Sequence, residues 1–174
     1  MDPADRYYVG TCTHVGESDE IDACAQRRLA WLDSMHAEGL RVKVALCGDA
    51  PVGFLYLMPI EICPWGPRGR DLSVIPCLVV SGKVRGRGAG PVLLHAAEEE
   101  ARSQGSKALL TTAYYGDFWF MPARFFESCG FTKVSSRQVA TAGEEEYLGE
   151  EATLWKVWDP SAQIPEFLQR QYAF

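Results

Sequence analysis

The residues best suited to chemistry are three glycines and two arginines in one heptapeptide, Val84-Arg85-Gly86-Arg87-Gly88-Ala89-Gly90, between an apolar run and a helix-like segment. Glycine admits backbone conformations and close approaches that a side chain would block. A strand feeding a glycine turn and then a helix gathers unpaired backbone N–H groups at one point, and the helix dipole adds partial positive charge. The matching ligand is a phosphate or pyrophosphate, to which Arg85 and Arg87 add charge-assisted hydrogen bonds. The plainer reading is a turn with solvated arginines and no ligand. Of the anion-binding signatures, the P-loop pattern Gly-x4-Gly-Lys-Ser/Thr is absent. The dinucleotide fingerprint Gly-x-Gly-x-x-Gly fails because Pro91 stands where the third glycine belongs, and no acid ends the next strand. Arg/Gln-x-x-Gly-x-Gly/Ala fits at every position, through Arg85, Gly88 and Gly90.

A second candidate is Cys12 with His14, a ligand pair or a nucleophile with its base, since residues i and i+2 of a strand share a face. The other cysteines are Cys24, Cys47, Cys63, Cys77 and Cys129, and none of the six forms a Cys-x-x-Cys pair. Four of them, Cys24, Cys47, Cys77 and Cys129, lie in apolar segments and are expected as buried free thiols. With three histidines, of which His14 alone lies near a cysteine, the spacing offers no metal cluster and no metal is expected. A net charge of −6 opposes nucleic acid and anionic lipid as partners and is mildly compatible with an amine substrate. No run approaches the ~18–20 apolar residues of a membrane span, and the acidic first residues lack the form of a signal peptide, so a cytoplasmic protein is expected.

The surrounding segments predict how these residues are positioned. The spacing predicts a strand over Tyr7–His14 and then a helix from the cap Ser18 to the stop Gly39. A hairpin follows, from Leu40–Leu46 and Val52–Ile60, then a Pro/Gly-rich loop and a strand over Asp71–Val80. Pro91 suits the first position of a helix running to Ser103, with Val92, Leu93, Ala96, Ala97 and Ala101 as its inner stripe. Further strands are predicted over Lys107–Tyr115, Phe131–Ala140 and Glu150–Trp158, with a short helix before Gly130. At 174 residues this is one α/β domain, 1–174, with a core of about 7–158 and a tail, 159–174, packed on it.

Through Arg85-x-x-Gly88-x-Gly90 and the strand and helix that flank it, the chain resembles the GNAT superfamily of acyl-CoA-dependent N-acetyltransferases. The resemblance spans about Leu40 to Val134; "CLVVSGKVRGRGAGPVLLHAAEEEARSQG" carries most of it and "FFESCGF" adds a looser match. It implies an α+β fold with a mixed, mostly antiparallel sheet of six to seven strands, helices on both faces and a splayed central strand pair. Acetyl-CoA is then the co-substrate. Arg85, Gly86, Arg87, Gly88, Ala89 and Gly90 would hold its pyrophosphate, and Leu78, Val79 and Val80 its pantetheine arm. One N–H near Val79 or Val80 would polarise the thioester.

The implied reaction is direct attack of a neutral amine in a ternary complex, with a small-molecule or peptide amine as acceptor. Asp71 and Glu61 are the candidate bases, with Asp117 third. Phe126 stands where many relatives carry an acid tyrosine, and Tyr114 or Tyr115 could replace it. Trp119 occupies a position where relatives often have asparagine. The aromatic group Tyr114, Tyr115, Phe118, Trp119, Phe120 and Trp65 could line an acceptor pocket or cap the sheet. Phe126 and Trp119 also admit a non-catalytic acyl-CoA-binding or sensor module, and a degenerate interaction protein is the third reading. The aromatic tail could bury itself across a homodimer.

Overall fold

A computed structural model describes residues 2–64, 66–116, 120–141 and 147–165. Expectations resting on Trp65, Asp117, Phe118, Trp119 and the aromatic tail past Pro165 lie outside the described residues. The helices are α1 (Pro3–Gly10), α2 (Asp19–Ala37), α3 (Ala89–Ser103) and α4 (Ala123–Ser128). The strands are β1 (Arg41–Cys47), β2 (Ala50–Pro59), β3 (Ser73–Val80), β4 (Ala108–Tyr115), β5 (Thr132–Thr141) and β6 (Tyr147–Val157). They form a six-stranded sheet in the order β1-β2-β3-β4-β6-β5. The β1–β2, β4–β6 and β5–β6 pairs are antiparallel, while β3 and β4 run parallel. The expected mixed, mostly antiparallel α+β class is the one observed. No helix among the described residues is long and apolar enough to cross a membrane.

The chain divides into two compact units, Met1–Leu57 with Pro76–Glu100, and Met58–Ile75 with Ala101–Phe174. In the first, the predicted opening strand is instead α1. Asp2 accepts a hydrogen bond from the Ala4 N–H at 2.9 Å and Pro3 takes the first position, two helix-starting features that outweigh the β propensity of Tyr7-Tyr8-Val9. Gly10 lets α1 lie close on α2: a Cβ there would stand 3.0 Å from the Leu29 Cγ and 3.3 Å from the Ala25 Cβ. Arg6 forks onto Asp33 at 2.8 and 2.9 Å, and the Tyr7 hydroxyl donates to Asp22 at 2.7 Å. At the start of α2 the Ser18 hydroxyl accepts from the Ile21 N–H, and the expected stop, Gly39, has φ +114°.

β2 buries Phe54, Leu55, Tyr56 and Leu57 in succession, so the strand is covered on both faces. Gly53 precedes them for want of space: a Cβ would lie 2.8 Å from the Val79 carbonyl oxygen and 3.3 Å from the Val80 Cα. The Ser81 N–H then donates to the Val52 carbonyl at 2.8 Å, which holds the end of β3 against β2. α3 begins at Ala89, two residues before Pro91, and its inner stripe is turned from the expected one. Leu93, Leu94 and Ala97 are buried while Val92 is 64% exposed. Successive residues stand about 100° apart on a helix, so a stripe through Leu93, Leu94 and Ala97 leaves Val92 outside. Lys43 reaches Glu100 at 2.7 Å and fastens α3 to β1.

In the second unit, the parallel ladder pairs Ser73, Val74 and Ile75 with Leu109, Leu110 and Thr111. Pro76, which has no N–H to give, follows at once. Side chains reinforce the pair: the Thr111 hydroxyl donates to the Ile75 carbonyl at 2.9 Å, and the Ser73 and Ser106 hydroxyls bond at 2.6 Å. Ile60, Leu72, Val74, Ala108 and Leu110 form a core cluster. α4 contributes Phe126, fully buried with ring centroids 5.1 Å from Phe125 and 5.5 Å from Phe131.

Gly53→Ala tests the contact between β2 and β3. Because the obstructing atom is backbone, relief requires the strands to part, and overpacking of this kind costs about 1–3 kcal/mol. Thermal unfolding should show a lower Tm than the parent; an unchanged Tm would mean that β2 yields freely at this point.

Candidate functional site

The glycine turn folds as a short helical turn over Gly82–Val84 followed by two left-handed glycines, Gly86 at φ +77° and Gly88 at φ +88°. Only the first part of the loop satisfies itself: Val84, Arg85 and Arg87 donate to the carbonyls of Ser81, Gly82 and Val84. Val92 donates to Gly88 and closes the first turn of α3. Among the described residues, the N–H groups of Gly86, Gly88, Ala89 and Gly90 have no protein acceptor. A Cβ at Gly86 or Gly88 would meet no atom within 4 Å, so these glycines answer to backbone conformation and leave open space beside the amides. Arg85 and Arg87 are exposed and have no carboxylate partner among the described residues. Four amides free among the described residues, the positive end of a fifteen-residue helix and two guanidiniums suit an anion of the phosphate or phosphoanhydride class. Leu78, Val79 and Val80 lead into it along β3, half-buried.

The expected catalytic residues do not converge. Asp71 pairs with Lys107 at 3.0 Å, and its N–H donates to Glu61 Oε1 at 2.9 Å. The Lys107 N–H donates in turn to the Asp71 carbonyl at 2.8 Å. Asp71 holds a left-handed φ of +58°, and these bonds fix the turn that opens β3 beside β4. Asp71 and Glu61 thus stand together at the amino end of a parallel pair, whereas α/β sheets bind ligands at the carboxyl end. Tyr114 lies at the far end of β4, seven residues beyond Lys107, roughly 23 Å of extended chain. A reacting centre served by Tyr114 is therefore out of reach of Asp71.

The tyrosines are engaged with carboxylates. Tyr114 donates to Glu151 Oε2 at 3.3 Å, and Tyr115 makes a short hydrogen bond to Glu127. Burial, and next the adjacent carboxylate, push both phenols up, Tyr115 to about 12, so both remain protonated at neutral pH. Phe126 packs in the core as an ordinary aromatic against Phe125 and Phe131.

Residues 8–131 match the profile of the Acetyltransferase (GNAT) family. The chain belongs to this family. No curated protein matches it in sequence. Among solved structures it is similar to a putative GNAT-family acetyltransferase from Desulfovibrio desulfuricans, at TM-score 0.66 and 17% identity over 90% of this chain and 94% of that one. It is also similar to an aminoglycoside 6'-N-acetyltransferase complexed with coenzyme A, at TM-score 0.60 and 16% identity, covering 93% and 95% of the two chains. A third is a ribosomal-protein-alanine N-acetyltransferase from Brucella melitensis, at TM-score 0.59 and 23% identity over 77% and 78%. At these identities the likeness is one of fold.

Within this GNAT chain the cysteines depart from expectation. Cys24 and Cys47 are exposed, and the other four are partly so. Cys24 precedes the buried Ala25 on α2, and Cys47 ends β1 at the turn, so apolar neighbours in sequence did not carry either one inward. Cys12 and His14 do not combine: His14 Nδ1 lies 2.9 Å from Glu17 on the surface, while Cys12 faces Arg28. The turn that follows α1 separates them, with Cys12 and Thr13 both left-handed at φ +54° and +75°. What sequence reasoning missed is Gly53, whose place in an apolar strand was the available signal, and a polar group formed by Tyr8, Arg28, Tyr56 and Cys77, for which no sequence spacing gives a signal.

Cys77 provides a test of that environment. Burial, then the nearby Cys12, raise its thiol from 9.0 to about 12, against a lowering pull from Arg28. Folding therefore favours the neutral thiol, a contribution intact below about pH 9 and lost as the pH rises toward 12. In maleimide labelling read by mass spectrometry at pH 8, Cys24 and Cys47 should be modified well ahead of Cys77. Equal labelling rates would contradict this environment.

Proposed function

We propose that this chain is an acetyl-CoA-dependent N-acetyltransferase that moves an acetyl group to an amine by direct attack in a ternary complex. The single observation that carries the reading is the row of unpartnered amides at Gly86, Gly88, Ala89 and Gly90, set at the start of α3 within a family-matching segment. When bound, acetyl-CoA supplies an activated acetyl thioester. The chain's own part is to bind and orient. The turn amides and α3 receive the pyrophosphate, with Arg85 and Arg87 adding charge, and Leu78–Val80 receive the pantetheine arm. The N–H of Val79 or Val80 is assigned to the carbonyl oxygen, where negative charge develops.

Proton traffic is light in this scheme. A thiol leaves with a pKa of ~8.5, so its thiolate needs little assistance near neutral pH. The amine nitrogen gives its proton to water as the C–S bond breaks, and the departing thiolate takes one from solvent. Asp71 and Glu61 are assigned to holding the amino end of the β3–β4 pair. The second reading, an acyl-CoA-binding module without turnover, is favoured by the full burial of Phe126 at the position where the resemblance implies an acid tyrosine. General acid catalysis is worth ~10²–10⁴-fold, and the low end applies to a good leaving group, so its loss slows the reaction without abolishing it.

Calorimetry with coenzyme A and thiol release from acetyl-CoA over an amine panel test these readings together. The parent should bind coenzyme A and release thiol only when an amine is present; binding without release supports the module. Gly88→Val should keep the far-UV circular dichroism of the parent, since its Cβ meets open space, yet bind coenzyme A at least about tenfold more weakly because φ +88° is denied to a β-branched residue. Undiminished affinity in that variant would refute the amide receptor.

A further inference from the structure

Arg28 of α2 differs from arginines that meet a carboxylate. Arg6 has Asp33 and Arg137 has Glu151, but no aspartate or glutamate among the described residues contributes to the surroundings of Arg28. Its guanidinium is half-buried and faces the Cys12 thiol, the Tyr56 hydroxyl of β2 and the Cys77 thiol of β3. Burial would lower it, and a bond to Cys12 with the fields of Cys12, Tyr56 and Cys77 more than offsets that.

Two hydroxyls add to the group. Tyr8 and Tyr56 are each only 7% exposed, and among the described residues their buried oxygens have no hydrogen-bond partner of ordinary geometry. Burial raises the Tyr56 phenol, and Arg28 close by offsets part of that rise without meeting the hydroxyl at hydrogen-bond geometry. Tyr8 reaches the group through Cys12. Burial raises both phenols and the Cys77 thiol, so at neutral pH they are uncharged donors around a fixed cation. A half-buried cation with no carboxylate beside it among the described residues is costly, and so is each orphaned buried hydroxyl.

We propose that Arg28, with the hydroxyls of Tyr8 and Tyr56, is a carboxylate-binding subsite, and that the acceptor is a small amine carrying a carboxylate, of amino-acid size. A carboxylate has two oxygens in one plane that accept the guanidinium fork, with lone pairs left over for the two phenols. The size follows from β3. Cys77 and Val79 lie two residues apart on the same side of the strand, about 7 Å along it. A carboxylate beside Cys77 and an amine attacking at the carbonyl assigned to Val79 or Val80 are therefore a few bonds apart.

The inference rests on the acetyltransferase reading, and its test keeps the two separable. Free α-amino acids and their carboxamides are compared as acceptors by thiol release from acetyl-CoA, alongside coenzyme A calorimetry on the same samples. In parallel, coenzyme A-loaded protein is titrated with N-acetyl amino acids and N-acetyl amino-acid amides, which reports carboxylate recognition without turnover. The acid forms should be preferred about ten- to a hundredfold in both assays, the range of a charge-assisted bidentate contact. Arg28→Met should erase the preference mainly through KM, Arg28→Lys should keep part of it, and Tyr56→Phe should reduce it, each variant's fold being checked by its coenzyme A affinity. Equal use or equal binding of acids and amides, or a preference that survives Arg28→Met, would overturn the subsite while leaving the acetyltransferase reading standing. Failure of the parent to bind coenzyme A would instead overturn that reading.

Discussion

An α-helix that starts directly after a strand and a glycine turn leaves its first amides without acceptors, and protein chains usually hide or cap such donors. Here they are left open. Gly86 and Gly88 hold left-handed conformations that turn the backbone into a row of donors, and the open space beside their α-carbons keeps any side chain from filling it. The architecture of the first unit serves that row. Gly53 allows β2 to press against the Val79 carbonyl, Ser81 is tied to Val52, and Lys43 holds α3 through Glu100. A phosphoanhydride would bring the charge and the acceptors that this arrangement lacks.

The same logic of unmet demand applies on α1, α2, β2 and β3 around Arg28. Among the described residues, a half-buried cation without a carboxylate and two buried hydroxyls without acceptors are tolerated only at a cost, and such costs cluster where ligands bind. The close crossing of α1 over α2, set by Gly10, brings Tyr8 and Cys12 into this group. Its chemistry is cationic although the chain as a whole is acidic. Net charge describes the far field, and a pocket is governed by the few groups that face it.

Several sequence readings hold for reasons that are local. The cap at Ser18, the stop at Gly39, the hairpin of β1 and β2, and the glycine turn all depend on residues adjacent in the chain. Others fail because the deciding contact is distant. Tyr7-Tyr8-Val9 has β character, yet Asp2 and Pro3 start a helix that is then held by Asp22 and Asp33. Val92 is as apolar as Leu94, and packing chose the latter. Asp71 and Glu61 looked like free acids near a strand end; Lys107, thirty-six residues further on, takes one of them, and the Asp71 amide takes the other.

Sequence by itself determined the mixed α+β class, the open glycine turn before α3 and the family, because Arg85-x-x-Gly88-x-Gly90 sets its backbone geometry within a few residues. Tertiary structure alone decided which acids are engaged, which cysteines face solvent, and that Arg28 meets Tyr56 and Cys77. Those outcomes depend on side chains brought together from separate helices and strands, and no spacing along the chain encodes such a meeting.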